Sequence, residues 1–181
     1  VSGPPEPILR DRVFFALWPD EGLQRRLARL VDLVVLACGG RGVQAGKLHL
    51  TLVFLGDVER ERLEPLRALA ASVSAPRVEL TLDRLGYWRH HLIAWAGAST
   101  VPEALAGLVA GLEERLSAAG YAFDRRPYVP HVTLARKARC RESLTLEEPL
   151  LWRADEFVLV RTMRGNGSTH YETIGRWPLG G

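Results

Sequence analysis

The sequence predicts an α+β fold: antiparallel sheet with flanking helices, arranged as two pseudo-symmetric lobes. Three observations point there. Three long segments carry leucines at helical spacing, and the stretches between them are short apolar runs bounded by turn residues, which read as strands. Some of those runs return on a neighbour across a turn signal, so the pairing is antiparallel. The tetrapeptide His49-Leu50-Thr51-Leu52 recurs as His131-Val132-Thr133-Leu134, 82 residues later, each time after a helix-rich segment.

The elements follow in order. Arg12 to Trp18 (RVFFALW) is short, apolar and partly aromatic, and Pro19 stops it, so it reads as a buried strand. Asp20 caps a helix from Glu21 to about Ala37 with Leu23, Leu27 and Leu30 on one side, and Gly39-Gly40 ends it. Its last part, Leu30 to Cys38, reads as buried helix, and it falls well short of the ~20 apolar residues of a membrane span. Lys47 to Leu55 is a second strand closed by Gly56-Asp57, and a second helix covers Glu59 to Ser72 with Leu63, Leu66, Leu69 and Ala70 at helical spacing. Val78, Leu80 and Leu82 alternate with polar residues, and Leu92 to Ala96 returns across a turn near Arg89-His90, which predicts a hairpin. A third helix, Pro102 to Ala119, carries the stripe Leu105, Leu108, Val109, Leu112 and Leu116 and stops at Gly120. Val129 to Ala135 is another strand, and Phe157 to Val160 with His170 to Ile174 form a last hairpin around Gly165-Asn166-Gly167. Residues 1–11, which open on Val1-Ser2-Gly3-Pro4-Pro5 without a secretory pattern, are expected to be a flexible segment, and 12–181 a single bilobal domain.

Composition narrows the partners without naming one. The net charge of +3 comes almost entirely from arginine, since Lys47 and Lys137 are the only lysines. Arginine suits phosphate because its planar fork donates two parallel hydrogen bonds. A GC-rich genome favours arginine codons too, so the bias alone does not establish a nucleic-acid partner. Cys38 and Cys140 are far apart and form neither a disulfide framework nor a zinc spacing, which fits a reducing cytoplasm. No Gly-rich phosphate loop is present.

The repeated tetrapeptide is where chemistry enters. Residues i and i+2 of a strand point to one face, so His49 and Thr51 share a face while Leu48, Leu50 and Leu52 take the other, and His131 and Thr133 repeat this against Val132 and Leu134. One such pair is commonplace on a strand. Two copies with matching apolar flanks, in a chain with five histidines, point to a site. If the two faces meet, one neutral imidazole can take a proton from water and the other, protonated, can give one to a leaving sugar oxygen. The threonine hydroxyls can donate to the phosphate's non-bridging oxygens. Such a site calls for no metal and no other cofactor.

On RVFFALWP at the first strand, KLHLTLVFLGDV around His49, RRPYVPHVTLAR around His131 and the closing YETIGRWPL, nearly the whole chain resembles the two-histidine phosphoesterase superfamily. Within it, the chain looks most like the RNA 2′,3′-cyclic phosphodiesterases, long called 2′-5′ RNA ligases. The resemblance implies two lobes flanking a cleft, with the paired His-x-Thr-x motifs facing each other across its floor. It implies an RNA-processing hydrolase that opens terminal 2′,3′-cyclic phosphate to 2′-phosphate, with a weak ATP-independent 2′-5′ ligation. By the same pattern His49 is the acid that protonates the 3′ oxygen, His131 the base that activates water, and Thr51, Thr133 and Arg136 hold the phosphate. The expected partner is RNA with a cyclic phosphate end, and the expected form is a cytoplasmic monomer away from membranes.

Strand alternation speaks against Arg136, which has the wrong parity to share a face with His131 and Thr133 unless the strand ends or twists near Ala135. Pro127 and Pro130 stiffen the approach to His131. His90 and His91 read as solvated turn residues, His170 as facing out, and Arg125 and Arg126 as exposed arginines near enough to steer a phosphate backbone. Phe14 and Phe15 read as core, with one of them available to line the cleft and stack on a base. Two other functions share these residues: a non-catalytic RNA-binding module, and a phosphodiesterase of a small cyclic nucleotide.

Overall fold

Val13, Phe15 and Leu17 alternate along the first strand with Phe14 and Ala16, and this period of two sends the first set into the main core and the second into a smaller cluster on the opposite face. The computed structural model describes residues 8–165 and 168–180. Its elements are β1 (Arg10–Leu17), α1 (Glu21–Cys38), β2 (Arg41–Gly42), β3 (Leu50–Glu59), α2 (Leu63–Ala71), β4 (Val78–Leu82), β5 (Arg84–Trp88), β6 (Ile93–Gly97), α3 (Glu103–Ala118), β7 (His131–Arg136), β8 (Leu150–Ala154), β9 (Glu156–Gly165) and β10 (Ser168–Pro178). The main sheet runs β10-β9-β1-β3-β7-β6-β5 with β2 paired to β7, and β4 and β8 form a second, two-stranded sheet. All of these pairings are antiparallel.

One plan is used twice. In β9-β1-β3 and in β5-β6-β7 a central strand leads through a helix to a second strand, which carries a His-x-Thr and lies beside the first. The halves meet where the starts of β3 and β7 overlap, at the single pair Leu50 and Val132. From there the two strands run apart. Helix α1 packs on β7 and α3 on β3, so the helix of each half supports the motif strand of the other. The Asp20 carboxylate accepts from the Leu23 N–H at 2.7 Å and caps α1 as its sequence predicts. Leu105, Leu108, Val109, Leu112 and Leu116 are all buried on α3. No helix among the described residues is long and apolar enough to cross a membrane.

Several expectations are corrected. β1 begins at Arg10, inside the segment expected to be flexible, and Asp11 is buried there between Arg60 and Arg161. Residues 1–7 lie outside the described residues. β3 does not stop at Gly56-Asp57. Gly56 adopts φ +74° next to a bulge that leaves Leu55 unpaired, and the strand continues to Glu59. Lys47 sits in a 3₁₀ turn, Ala45–Lys47, so the strand starts later than predicted. A second 3₁₀ turn, Arg60–Arg62, takes the start of the predicted second helix. The β4 strand does not return on β6. Its buried Val78, Leu80 and Leu82 pair with Ala154, Trp152 and Leu150, while β6 pairs with β5. The stretch from Leu30 to Cys38 is not buried all round, because Leu33 and Leu36 face solvent while Val31, Val34 and Cys38 pack inward. The last hairpin is longer than predicted, and Asn166 and Gly167 of its turn lie outside the described residues.

Cys38 and Cys140 form a disulfide, contrary to the sequence expectation. It ties the end of α1 to the segment after β7, and beside it the Arg139 N–H donates to the Cys38 carbonyl at 2.9 Å. In the chain-entropy account, closing a loop of about 100 residues stabilises by about 4 to 5 kcal/mol. The argument for a reducing compartment from unpaired cysteines is thereby lost.

Candidate active site

Burial along the two motif strands follows the predicted alternation. Leu48, Leu50 and Leu52 are buried, with His49 and Thr51 half-buried between them. Val132 and Leu134 are buried, with His131 and Thr133 half-buried. The two pairs do not face each other from separate sheets. They are neighbours on one face of one sheet. The pairing of Leu50 with Val132 sets His49 opposite Thr133 and Thr51 opposite His131, so the four side chains occupy the corners of one patch related by an approximate twofold.

Each imidazole is fixed the same way. His49 Nδ1 lies 2.8 Å from the Lys47 carbonyl oxygen, and His131 Nδ1 lies 2.8 Å from that of Val129. A carbonyl only accepts, so Nδ1–H donates in both rings and Nε2 is the nitrogen left to exchange protons. The Tyr128 hydroxyl donates to the Thr51 carbonyl at 3.3 Å and ties the approach to β7 onto β3.

Arg136 reaches the site by a route that alternation alone misses. Trp95 pairs with Thr133 and Ala94 with Ala135, so Leu134 is an extra residue, a β-bulge. Leu134 and Ala135 are both buried, and Arg136 returns to the face of His131 and Thr133. Its cation acts on both histidines. The same device occurs in the other half. Ala16 pairs with Thr51 and Phe15 with Val53, leaving Leu52 as the extra residue, and the position equivalent to Arg136 is Phe54, which is exposed.

Aromatic rings surround His49. Trp18 stacks on it at 5.1 Å with the planes 7° apart, Phe14 at 4.9 Å and 28°, and Tyr171 meets it edge-on at 5.4 Å. His131 meets Trp88 edge-on at 4.6 Å. Burial holds the His49 pKa down at about 4, with the positive charges of His131 and Arg136 adding to the effect and the Lys47 carbonyl opposing it. Burial, then Arg136, lowers His131 as well, against the Val129 carbonyl.

The remaining residues sort simply. Phe15 is core, and Phe14 is the one of the pair on the site. His90, His91 and His170 are exposed, the first two in the β5–β6 turn. Arg126 is paired with Asp124, and Arg125 lies over the Phe123 ring at 4.5 Å, so both have local partners. Among the described residues no three His, Cys, Asp or Glu side chains group as a metal site requires. Trp18, Trp88, Tyr171 and Phe54 were not singled out from sequence. The signal for Trp18 was the continuation of the Phe14-x-Ala16 face.

Residues 19–166 match the model of the 2′-5′ RNA ligase superfamily. An RNA 2′,3′-cyclic phosphodiesterase of Escherichia coli (strain K12) is 36% identical over 143 residues, 77% of this chain and 80% of that protein. One of Thermus thermophilus is 30% identical over 181 residues, 94% of this chain and 91% of that protein. The crystal structure of E. coli LigT complexed with 3′-AMP matches with a TM-score of 0.83 at 31% identity, covering 94% of this chain and 99% of that one.

Proposed function

The chain belongs to the 2′-5′ RNA ligase superfamily, and from that premise we propose that it hydrolyses the terminal 2′,3′-cyclic phosphate of RNA to a 2′-phosphate by proton transfers at His49 and His131. The observation that carries this reading is the Leu50–Val132 register, which puts both His-x-Thr pairs on one face with their Nε2 atoms free. Water attacks phosphorus and gives its proton to His131. The bond from phosphorus to O3′ breaks, and O3′ takes its proton from His49. Thr51 and Thr133 donate to the non-bridging oxygens, and Arg136 balances the charge that builds on them. Weak 2′-5′ ligation is the same displacement with a sugar hydroxyl in place of water: the hydroxyl attacks phosphorus, its proton goes to His131, and O3′ leaves with a proton from His49. With a low pKa in the free protein, His49 needs a bound anion to become the acid.

On this reading the protein acts as a monomer in the cytoplasm. Cytoplasmic thiols are kept reduced, so Cys38 and Cys140 then stand as a dithiol in the cell and close to the disulfide on oxidation. The test is product analysis in EDTA on three substrates: a cyclic-ended oligonucleotide, a mononucleoside 2′,3′-cyclic phosphate and 3′,5′-cyclic AMP. Opening of the oligonucleotide to a 2′-phosphate is expected. Turnover of the mononucleotides alone would shift the reading to a small-nucleotide enzyme, and no turnover would leave an RNA-binding module.

A further inference from the structure

We propose that Trp18 is a positioning residue for His49: with Phe14 it clamps the imidazole between two aromatic rings, holding its plane and keeping water from it, so that the ring exchanges protons only through Nε2 toward the cleft. This rests on the phosphodiesterase reading for what the proton does, but the clamp itself is visible in the geometry. Phe14 and Trp18 are four residues apart on extended backbone, about 13 Å. Each lies near 5 Å from the ring of His49 and close to parallel with it. The residue between them on that face is Ala16, small enough to leave room for the ring. The register pairing Leu17 with Leu50 continues to bring Trp18 beside His49.

The other half supplies a control. By the same register the position of Ala16 is taken there by Trp95, opposite Thr133, and that of Trp18 by Gly97, opposite His131. A Cβ on Gly97 would come within 2.7 Å of the Trp95 ring, so position 97 carries no side chain to stack on His131, which meets only the edge-on Trp88. Large and small residues have changed places, and a stacked clamp exists on His49 and not on His131.

The groups facing the His49 ring are His131 and Arg136 from β7, Tyr171 from β10, and the Lys47 carbonyl. Phe14 and Trp18 carry no charge. An aromatic face attracts an imidazolium and would raise the pKa, whereas exclusion of water lowers it. Stacking on a desolvated ring shifts a pKa by about one and a half units, and full burial by up to about three to five. Exclusion of water therefore dominates, in the direction of the low value at His49.

The experiment is a histidine NMR titration of the full chain beside kcat and KM on a cyclic-ended oligonucleotide, for Trp18→Ala, Trp18→Leu and Trp18→Phe. In folded Trp18→Ala the His49 midpoint should rise by roughly one pH unit or more, with His131 nearly unmoved. Its kcat should fall about tenfold with KM little changed. Trp18→Leu keeps apolar bulk without a flat face, so it should keep the low midpoint and lose kcat. Trp18→Phe should restore both. An unmoved His49 midpoint in Trp18→Ala, or an unmoved kcat in both Trp18→Ala and Trp18→Leu, overturns the proposal. His49→Ala, run alongside, separates the two readings: if it stays active the acid role of His49 is wrong, while the titration still reports on the clamp.

Discussion

The two halves of the sheet share their backbone and differ in what they hang on it. In both, a His-x-Thr is followed by a one-residue bulge, at Leu52 and at Leu134, and both histidines donate Nδ1–H to the carbonyl two residues back. Three residues past each threonine the bulge returns a side chain to the site. In the first half it is Phe54 and in the second Arg136. The first half surrounds its histidine with Trp18, Phe14 and Tyr171, with Phe54 stacked on Phe14, and the second brings a charge. On the proposed mechanism each histidine must present Nε2 to one phosphate, which the common backbone favours by holding both Nδ1 atoms on carbonyls. The mechanism also needs them to behave differently, which only the side chains can supply.

The largest effects should come from what the halves share. His49→Ala and His131→Ala should each lower kcat on a cyclic-ended oligonucleotide by at least about 10²-fold. The double variant should be little worse than the poorer single, because the two act as a unit. Single-turnover assays of folded variants measure this. Near-normal rates in both singles would break the comparison at its base. Folding should survive, since Leu50 and Val132, which anchor the strands, face the other way.

Next comes the position where the halves differ. Arg136→Ala should cost about 10²-fold in kcat, as for loss of one donor to developing charge, and Phe54→Ala less than about tenfold. Exchanging the two, Phe54→Arg with Arg136→Phe, should not restore activity if the charge is needed beside His131. Restoration would mean that the site is symmetric in function as well as in backbone.

The threonines should matter least to rate. Each offers one neutral hydrogen bond, worth about 1 kcal/mol net, so Thr51→Ala and Thr133→Ala should each cost roughly fivefold in kcat/KM. Since Thr51 lies opposite His131 and Thr133 opposite His49, a marked inequality between the two would identify the half that holds the phosphate more tightly.

How far these features were legible in the sequence depended on range. The His and Thr faces were legible because a period of two needs only neighbouring residues and the motif occurs twice. The reach of Arg136 was not, because nothing in Thr133-Leu134-Ala135 signals a bulge. It is set by the pairing with Ala94 and Trp95, some forty residues away in the chain. The partner of β4 was missed for a similar reason. Val78 pairs with Ala154, whereas a hairpin rule looks to the next strand. The Cys38–Cys140 bond has a sequence separation of 102 and no spacing pattern to reveal it. Trp18 looked like strand filler, since aromatic residues in a buried strand are ordinary, and of Phe14 and Phe15 the sequence left open which one lines the site.

The smallest effect, and the one that tests the difference between the histidines most directly, is a proton count. In the free protein His49 has a pKa of about 4, below the ordinary 6.5, and His131 is lowered as well, so near pH 6 His49 is neutral. A bound phosphate brings negative charge against Nε2, favours the imidazolium and raises both values. At a pH between the free and bound values the rings hold more protons in the complex than in the free protein, so binding of an anion that does not itself titrate there must take protons up, and its affinity must rise as pH falls through that window. Calorimetry of inorganic sulfate binding at pH 6, a tetrahedral dianion that does not titrate there, in two buffers of different ionisation enthalpy, counts them. A net uptake of a fraction of a proton to about one is expected, most of it lost in His49→Gln and much less in His131→Gln, because His49 starts further from its ordinary pKa. Arg136→Ala should reduce the uptake too. Without that cation the free-protein values lie higher, and the rings are already partly protonated before the anion arrives. An uptake of zero, or one that survives in His49→Gln and vanishes in His131→Gln, would mean that the ring among the aromatics is the base throughout and that the acid is His131.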